Sequence, residues 1–212
     1  MDDRVEGYLT DLAGQEHDHP VLAQMEERAA AYQFPIIGRA SGRFLELMAR
    51  TIGARRVMEL GSGYGYSAYW FARAVGPGGE VVCTDSDRAN AELAAGYLRE
   101  AGLWERVRYR VGDALAGLAA ESGEFDVVYC DVDKLGYPDS WRAARDRIRT
   151  GGLWLCDNVI WSGHVATGTD RERLPGATAS IREHNQLVAA DDRFVGSIVP
   201  IRDGIMTALR VR

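Results

Sequence analysis

Apolar positions along the chain change period several times, and those changes divide it into elements. In the first fifty or so residues Val21, Leu22, Met25 and Ala29 recur at helical spacing, and Phe44, Leu45, Leu47 and Met48 form a second such set, so this stretch predicts helices with one apolar face each. Five short β-like runs follow: RRVMEL (55–60), EVVCTD (80–85), RVRYRV (106–111), FDVVYCD (125–131) and GLWLCD (152–157). Helical patterns near 66–75, 87–101, 113–120 and 138–149 separate them, and a last helix near 177–190 precedes two more strands, FVGSIVPI (194–201) and GIMTALRVR (204–212). Strands that alternate with helices of this length predict an α/β fold built on βαβ units, with a seven-stranded sheet covered on both faces. The pattern reads as one domain over 1–212, with N-terminal helices over 1–53 and the sheet-bearing core over 54–212. One long irregular stretch, 162–177, is expected to be a lid, a binding loop or a disordered segment.

Composition narrows the classes. A chain of 212 residues that is 46% hydrophobic has enough apolar content for a sizeable core. Its net charge of −6 argues against dominant binding to nucleic acid or an anionic membrane. The acidic start MDDRVEGYL lacks the apolar stretch of a secretory signal, and no run approaches membrane-spanning length, so a cytoplasmic location is expected. Cys83, Cys130 and Cys156 each fall in or at the end of a strand-like run, which predicts buried thiols rather than disulfides or a thiolate metal site. His17 and His19 before Pro20 read as a polar helix approach, and His164 as an exposed loop residue. Arg142, Arg145 and Arg149 are expected to form a solvated basic stripe on an outer helix face, and Arg171 and Arg173 lie in the 162–177 loop, where they could meet a phosphate.

Ligands of such a sheet bind outside the carboxyl ends of its strands, and there the sequence concentrates polar groups. Glu59 is followed by GSGYGYS (61–67), a glycine-rich turn that opens a helix and lets a ligand approach the backbone. Tyr66 stands where the dinucleotide fingerprint needs its third glycine, which counts against a nicotinamide cofactor. Asp85 can accept both hydroxyls of a ribose or serve a turn, with Ser86 or Asp87 the better cap; Asp113 can cap the next helix or contact an adenine amino group. Asp131, Asp157 and Asn158 supply oxygen ligands from two strand ends with no His or Cys among them, which suits Mg²⁺ or Ca²⁺ over zinc, and Asp133 is assigned a role beside the ion or the cofactor. Lys134 follows directly and is the only lysine, the other 24 basic side chains being arginine. Lysine, unlike arginine, can become a neutral base in a protein.

VMELGSGYGYSAYWFA, VVCTDSD, FDVVYCDVDKLGY, GLWLCDNVIWSG and IRDGIMTALR together resemble the cation-dependent class I O-methyltransferases, the group of catechol and caffeoyl-CoA O-methyltransferases, over roughly residues 36–212. The resemblance implies a Rossmann-like, mostly parallel seven-stranded sheet with a helical N-terminal extension, and S-adenosylmethionine as cofactor. It implies that Glu59, Gly61, Gly63, Tyr66 and Ser67 surround the methionine part, that Asp85 holds the ribose and Asp113 lies near the adenine, with Asp131 between cofactor and metal. It further implies Mg²⁺ or Mn²⁺ on Asp131, Asp157 and Asn158, Lys134 as the base, and Trp161 as an aromatic wall against the acceptor. The expected activity is methyl transfer to a hydroxyl of a small vicinal-dihydroxy aromatic, free or as an ester. Two readings stay open beside it: a tRNA hydroxyuridine acceptor, and a cofactor-binding module without turnover. The apolar surface of the N-terminal helices leads us to expect a homodimer.

Overall fold

Alternating apolar positions in the strands place side chains on the two faces of a single sheet, and each face gathers its own helices. The structure, a computed structural model, describes residues 3–13, 18–170 and 173–212. Seven strands form: β1 (Arg56–Leu60), β2 (Glu80–Asp85), β3 (Val107–Val111), β4 (Phe125–Cys130), β5 (Ile148–Cys156), β6 (Phe194–Val199) and β7 (Ile205–Arg210). Their order is β3-β2-β1-β4-β5-β7-β6, parallel except for β7, which runs antiparallel to both neighbours. Chain order reverses between β1 and β4, which opens a crevice at their carboxyl ends.

On one face Val57, Val81, Cys83, Val127, Tyr129, Leu153 and Leu155 pack under α2 (Val21–Tyr32), α3 (Gly38–Thr51), α4 (Tyr66–Val75) and α5 (Arg88–Glu100). On the other, Met58, Leu60, Val82, Val128, Cys130, Trp154 and Cys156 pack under α6 (Ala114–Ala119), α7 (Tyr137–Ala144) and α9 (Ala177–Ala190). Fully burying a large apolar side chain such as Leu45 or Phe71 stabilises the fold by roughly 1.5–3 kcal/mol. All three cysteines are buried and free. Among the described residues no helix is long and apolar enough to cross a membrane.

The N-terminal helices α1 (Asp3–Ala13), α2 and α3 are where expected, and Val21, Leu22, Met25 and Ala29 form the buried face of α2. In α3 the apolar face is narrower than its spacing suggests, because Leu45 is buried while Leu47 is 60% exposed. The helix expected over 138–149 ends at Ala144; a 3-10 turn leads into β5, whose Ile148 already pairs with Phe125. The arginines of that segment therefore form no single stripe. Arg142 pairs with Asp139 and Glu183, Arg145 with Asp146 and Asp191, and Arg149 with Asp126 at the foot of β4. The 162–177 stretch is not wholly irregular either, since α8 (His164–Thr167) occupies part of it. His19 accepts a hydrogen bond on Nδ1 from the Val21 N–H at the start of α2, as a helix approach would; His17 and Arg171 lie outside the described residues.

Candidate active site

Two adjoining sets of side chains occupy the crevice. The first surrounds the turn between β1 and α4. Gly61 has φ of +82°, and a side chain there would run into the Asp131 carbonyl at the end of β4, so glycine is required both by backbone conformation and by close approach. Glu59, wholly buried, has its carboxyl pushed up to about 7 by burial, against the pull of hydrogen bonds from Ser67, Ser62 and Cys83. Asp85, at the end of β2, accepts hydrogen bonds from the Gly63 N–H (3.0 Å), the Asp87 N–H (2.8 Å) and the Asn90 side-chain amide (3.1 Å). Its carboxylate thereby clamps the glycine turn to the start of α5. Asp87 caps that helix and Asp113 caps α6, accepting from the Ala116 N–H at 2.7 Å. Tyr66 is buried and its hydroxyl donates to Glu26 on α2 at 2.7 Å, so its polar end serves a helix contact rather than the crevice. Tyr109, which sequence reasoning passed over, donates its hydroxyl to the Gly63 carbonyl and fixes the turn from the β3 side.

The second set lies at the ends of β4 and β5. Lys134 Nζ donates to Asp131 Oδ1 (3.1 Å), Asn158 Oδ1 (2.7 Å) and the Tyr137 hydroxyl (2.6 Å). Three acceptors match the three donors of an ammonium. Burial works to lower the Lys134 pKa, but the charge and hydrogen bond of Asp131 outweigh it and hold the group above its ordinary value. Asp131 therefore favours the protonated form of Lys134. The expectation of a neutral amine belongs to a site that also holds a dication and a sulfonium, whose charges oppose the ammonium.

Asp157 is 3% exposed, and its Oδ1 is buried with no hydrogen-bond partner among the described residues. Burial, then the charge of Asp131, pushes its carboxyl up to about 7, against Arg202 and Lys134. Asn158 sits in the left-handed region at φ +55°. Among the described residues no three His, Cys, Asp or Glu side chains group as a metal cluster; one carboxylate and one carboxamide oxygen, from Asp131 and Asn158, meet on Lys134, and the Asp157 carboxylate feels the charge of both Asp131 and Lys134. An all-oxygen set, two members of which accept from a cation while a third keeps an orphaned buried oxygen, fits a hard divalent ion that keeps part of its water shell. Tyr137 completes the arrangement: wholly buried, it accepts from Lys134 and donates to the Asp157 carbonyl at 2.8 Å. The sequence offers a signal for it, since Tyr137 stands three positions after Lys134 where a turn becomes α7. Trp161 is 5% exposed and packs in the core cluster beneath the sheet, in a left-handed conformation. His164 faces Thr169 on the surface.

Comparison with known proteins decides what this arrangement belongs to. A family model described as O-methyltransferase matches residues 12–211. The chain belongs to that O-methyltransferase family. It is 32% identical to a catechol O-methyltransferase of Niastella koreensis, covering 92% of this chain and 89% of the relative, and 26% identical to a caffeoyl-CoA O-methyltransferase of Medicago sativa, covering 97% and 87%. Among solved structures it is similar to the O-methyltransferase TomG of Streptomyces achromogenes, determined with S-adenosylmethionine (TM-score 0.87, 28% identity, 99% of this chain and 96% of that one). It is also similar to an O-methyltransferase of Bacillus cereus bound to S-adenosylhomocysteine (TM-score 0.86, 28% identity, 98% and 97%). The family's sheet, its antiparallel final strand and its N-terminal helices are all present in this O-methyltransferase.

Proposed function

We propose that this O-methyltransferase moves a methyl group from S-adenosylmethionine to one hydroxyl of a small vicinal-dihydroxy aromatic, free or as an ester, with Mg²⁺ or Mn²⁺ bound by Asp131, Asp157 and Asn158. The observation that carries the reading is the convergence of Asp131 and Asn158 oxygens on Lys134 Nζ beside the unpartnered Asp157 oxygen, at the carboxyl ends of adjacent strands. The donor follows from the solved relatives that hold S-adenosylmethionine or its product, and the acceptor class from the relatives named for catechol and caffeoyl-CoA. A divalent ion on these oxygens supplies positive charge that favours ionisation of a neighbouring acceptor hydroxyl. Lys134, once the added positive charges have made it give up its own proton, would take up that of the hydroxyl on Nζ, with Tyr137 and Asn158 fixing its direction. The turn at Gly61 and Gly63 presents backbone to the donor, Asp85 offers a carboxylate held by three hydrogen bonds for ribose hydroxyls, and Glu59 offers a buried carboxyl that a cationic donor favours in its ionised form. Positioning of the two reactants contributes much of the acceleration.

The test combines a chelator with an acceptor panel read by mass spectrometry. Turnover of a vicinal diol is expected to vanish in EDTA and return with Mg²⁺ or Mn²⁺, while calorimetry finds S-adenosylmethionine binding with and without the ion. Full activity after exhaustive metal removal overturns the metal assignment.

A further inference from the structure

The loop between β6 and β7 carries a cation, Arg202, that no described residue pairs. Val159 N–H donates to the Gly204 carbonyl (3.1 Å), Ile160 N–H to the Asp203 carbonyl (2.8 Å) and Ser162 N–H to the Asp203 carboxylate, so the loop is bound to the segment that presents Asp157 and Asn158. Arg202 tops it. Its side-chain stem lies over the start of α3, with Cδ 3.9 Å from where a side chain on Gly38 would begin. Yet the guanidinium is exposed and makes no hydrogen bond, and no ion pair within 4 Å, with any described residue. Most other arginines around the sheet are committed to carboxylates or carbonyls, such as Arg56, Arg108 and Arg149. Arg202 also adopts φ of +50°, a conformation that glycine takes freely and a branched or long residue seldom does. Residues held in such regions cluster at ligand clamps. A planar, permanently charged fork with free donors, on a loop hydrogen-bonded to the segment that follows Asp157 and Asn158, suits a carboxylate or phosphate.

We propose that Arg202 is a specificity residue that receives an anionic group carried by the acceptor, so that the enzyme prefers vicinal-dihydroxy aromatics bearing negative charge over neutral ones. The inference rests on the diol-acceptor reading above. The anionic group has two possible sources, a carboxylate on the aromatic itself or phosphates on an ester handle, and guanidinium chemistry serves both.

Three acceptors separate the possibilities: 3,4-dihydroxybenzaldehyde as the neutral diol, 3,4-dihydroxybenzoate with a ring carboxylate, and caffeoyl-CoA with ester phosphates. Each is measured with Mg²⁺ and S-adenosylmethionine on the wild type, R202Q and R202G, the glycine variant fitting the backbone conformation without strain. The wild type is expected to favour at least one anionic acceptor over the neutral one by roughly tenfold in kcat/KM. Both variants are expected to bring that ratio close to one, chiefly through KM, with S-adenosylmethionine affinity and a cooperative melt retained. The arm that loses its advantage identifies the source of the charge. Equal use of neutral and anionic diols by the wild type, or a preference that survives in both variants, overturns the role of Arg202 while leaving the diol reading intact. If none of the three diols is methylated or bound in calorimetry, the diol reading itself fails and the inference falls with it.

Discussion

Lys134 faces opposite electrostatic demands before and after the site fills. Its three donors meet Asp131, Asn158 and Tyr137, and Asp131 keeps it charged; accepting a proton requires that this hold be loosened by other cations nearby. Arginine at this position keeps the charge and approximate reach but never becomes neutral. Lys134→Arg is therefore expected to lower turnover by about 10²–10⁴ while S-adenosylmethionine affinity is retained, which steady-state kinetics and calorimetry on one preparation will show. If Nζ acts only as a cation, the arginine variant works as well as the wild type. Glu59 gives a pH prediction of known sign. Its folded-state pKa of about 7 lies above the ordinary value of 4.5, so between these values the native state keeps a proton that the unfolded chain has released. Stability from this group is full below about 4.5 and is lost as pH rises through about 7, by about 3 kcal/mol in all. Glu59→Gln removes that contribution. Thermal melts at about pH 5 and about pH 8 should show a smaller difference for the variant than for the wild type, and equal differences would contradict the buried-carboxyl account.

At the scale of elements, the crevice depends on how closely α3 sits against α4. Gly42 on α3 faces the Trp70 indole on α4, and an added methyl would lie inside the ring's van der Waals envelope. Trp70 is wholly buried and cannot swing away, so Gly42→Ala must part the two helices. A loss of about 1–3 kcal/mol is expected, read as a lower denaturant midpoint with unchanged slope; an unchanged midpoint would mean that the helix pair adjusts freely. Such contacts mark the limit of what the sequence reveals. Strand ends were legible because short apolar runs stop at polar residues, which is how Asp85, Asp131 and Asp157 stand out, and the structure brings Asp131 and Asn158 each within hydrogen-bond distance of Lys134. Tyr137 was legible only as a chain neighbour of Lys134, since its bond to the Asp157 carbonyl is made through the sheet, and Arg202 was not legible, because its loop meets the segment after Asn158 only in the folded chain. The end of α7 was missed for a local reason. Ile148 satisfies the helical period and the strand period alike, and only its pairing with Phe125 decides for the strand. Leu47 shows the same limit, since spacing sets which side of α3 is apolar but packing sets how much of it is covered.

For the whole molecule, the informative surface is the apolar one that nothing covers. Val5, Tyr8 and Leu12 recur at helical spacing on α1 and are all exposed, with Tyr8 at 65% and Leu12 at 61%. A second exposed pair, Val195 and Leu209, sits on the β6–β7 end of the sheet, where β6 is the edge strand. Edges and apolar faces of this kind invite association unless a partner covers them. The covered faces of α2 and α3 already lie in the core, so the exposed face of α1 is surplus to the fold of one chain. A homodimer that uses the N-terminal helices follows as the expected assembly, and light scattering on the wild type should report twice the chain mass at working concentrations. The double substitution Tyr8→Glu and Leu12→Glu should then yield a monomer with the same far-ultraviolet spectrum, because neither side chain is buried within its own chain. Val195→Asp is the contrasting variant. If it splits the dimer and the α1 variant does not, the sheet edge is the interface and the N-terminal helices are not; a wild type that stays monomeric at every concentration removes the dimer altogether.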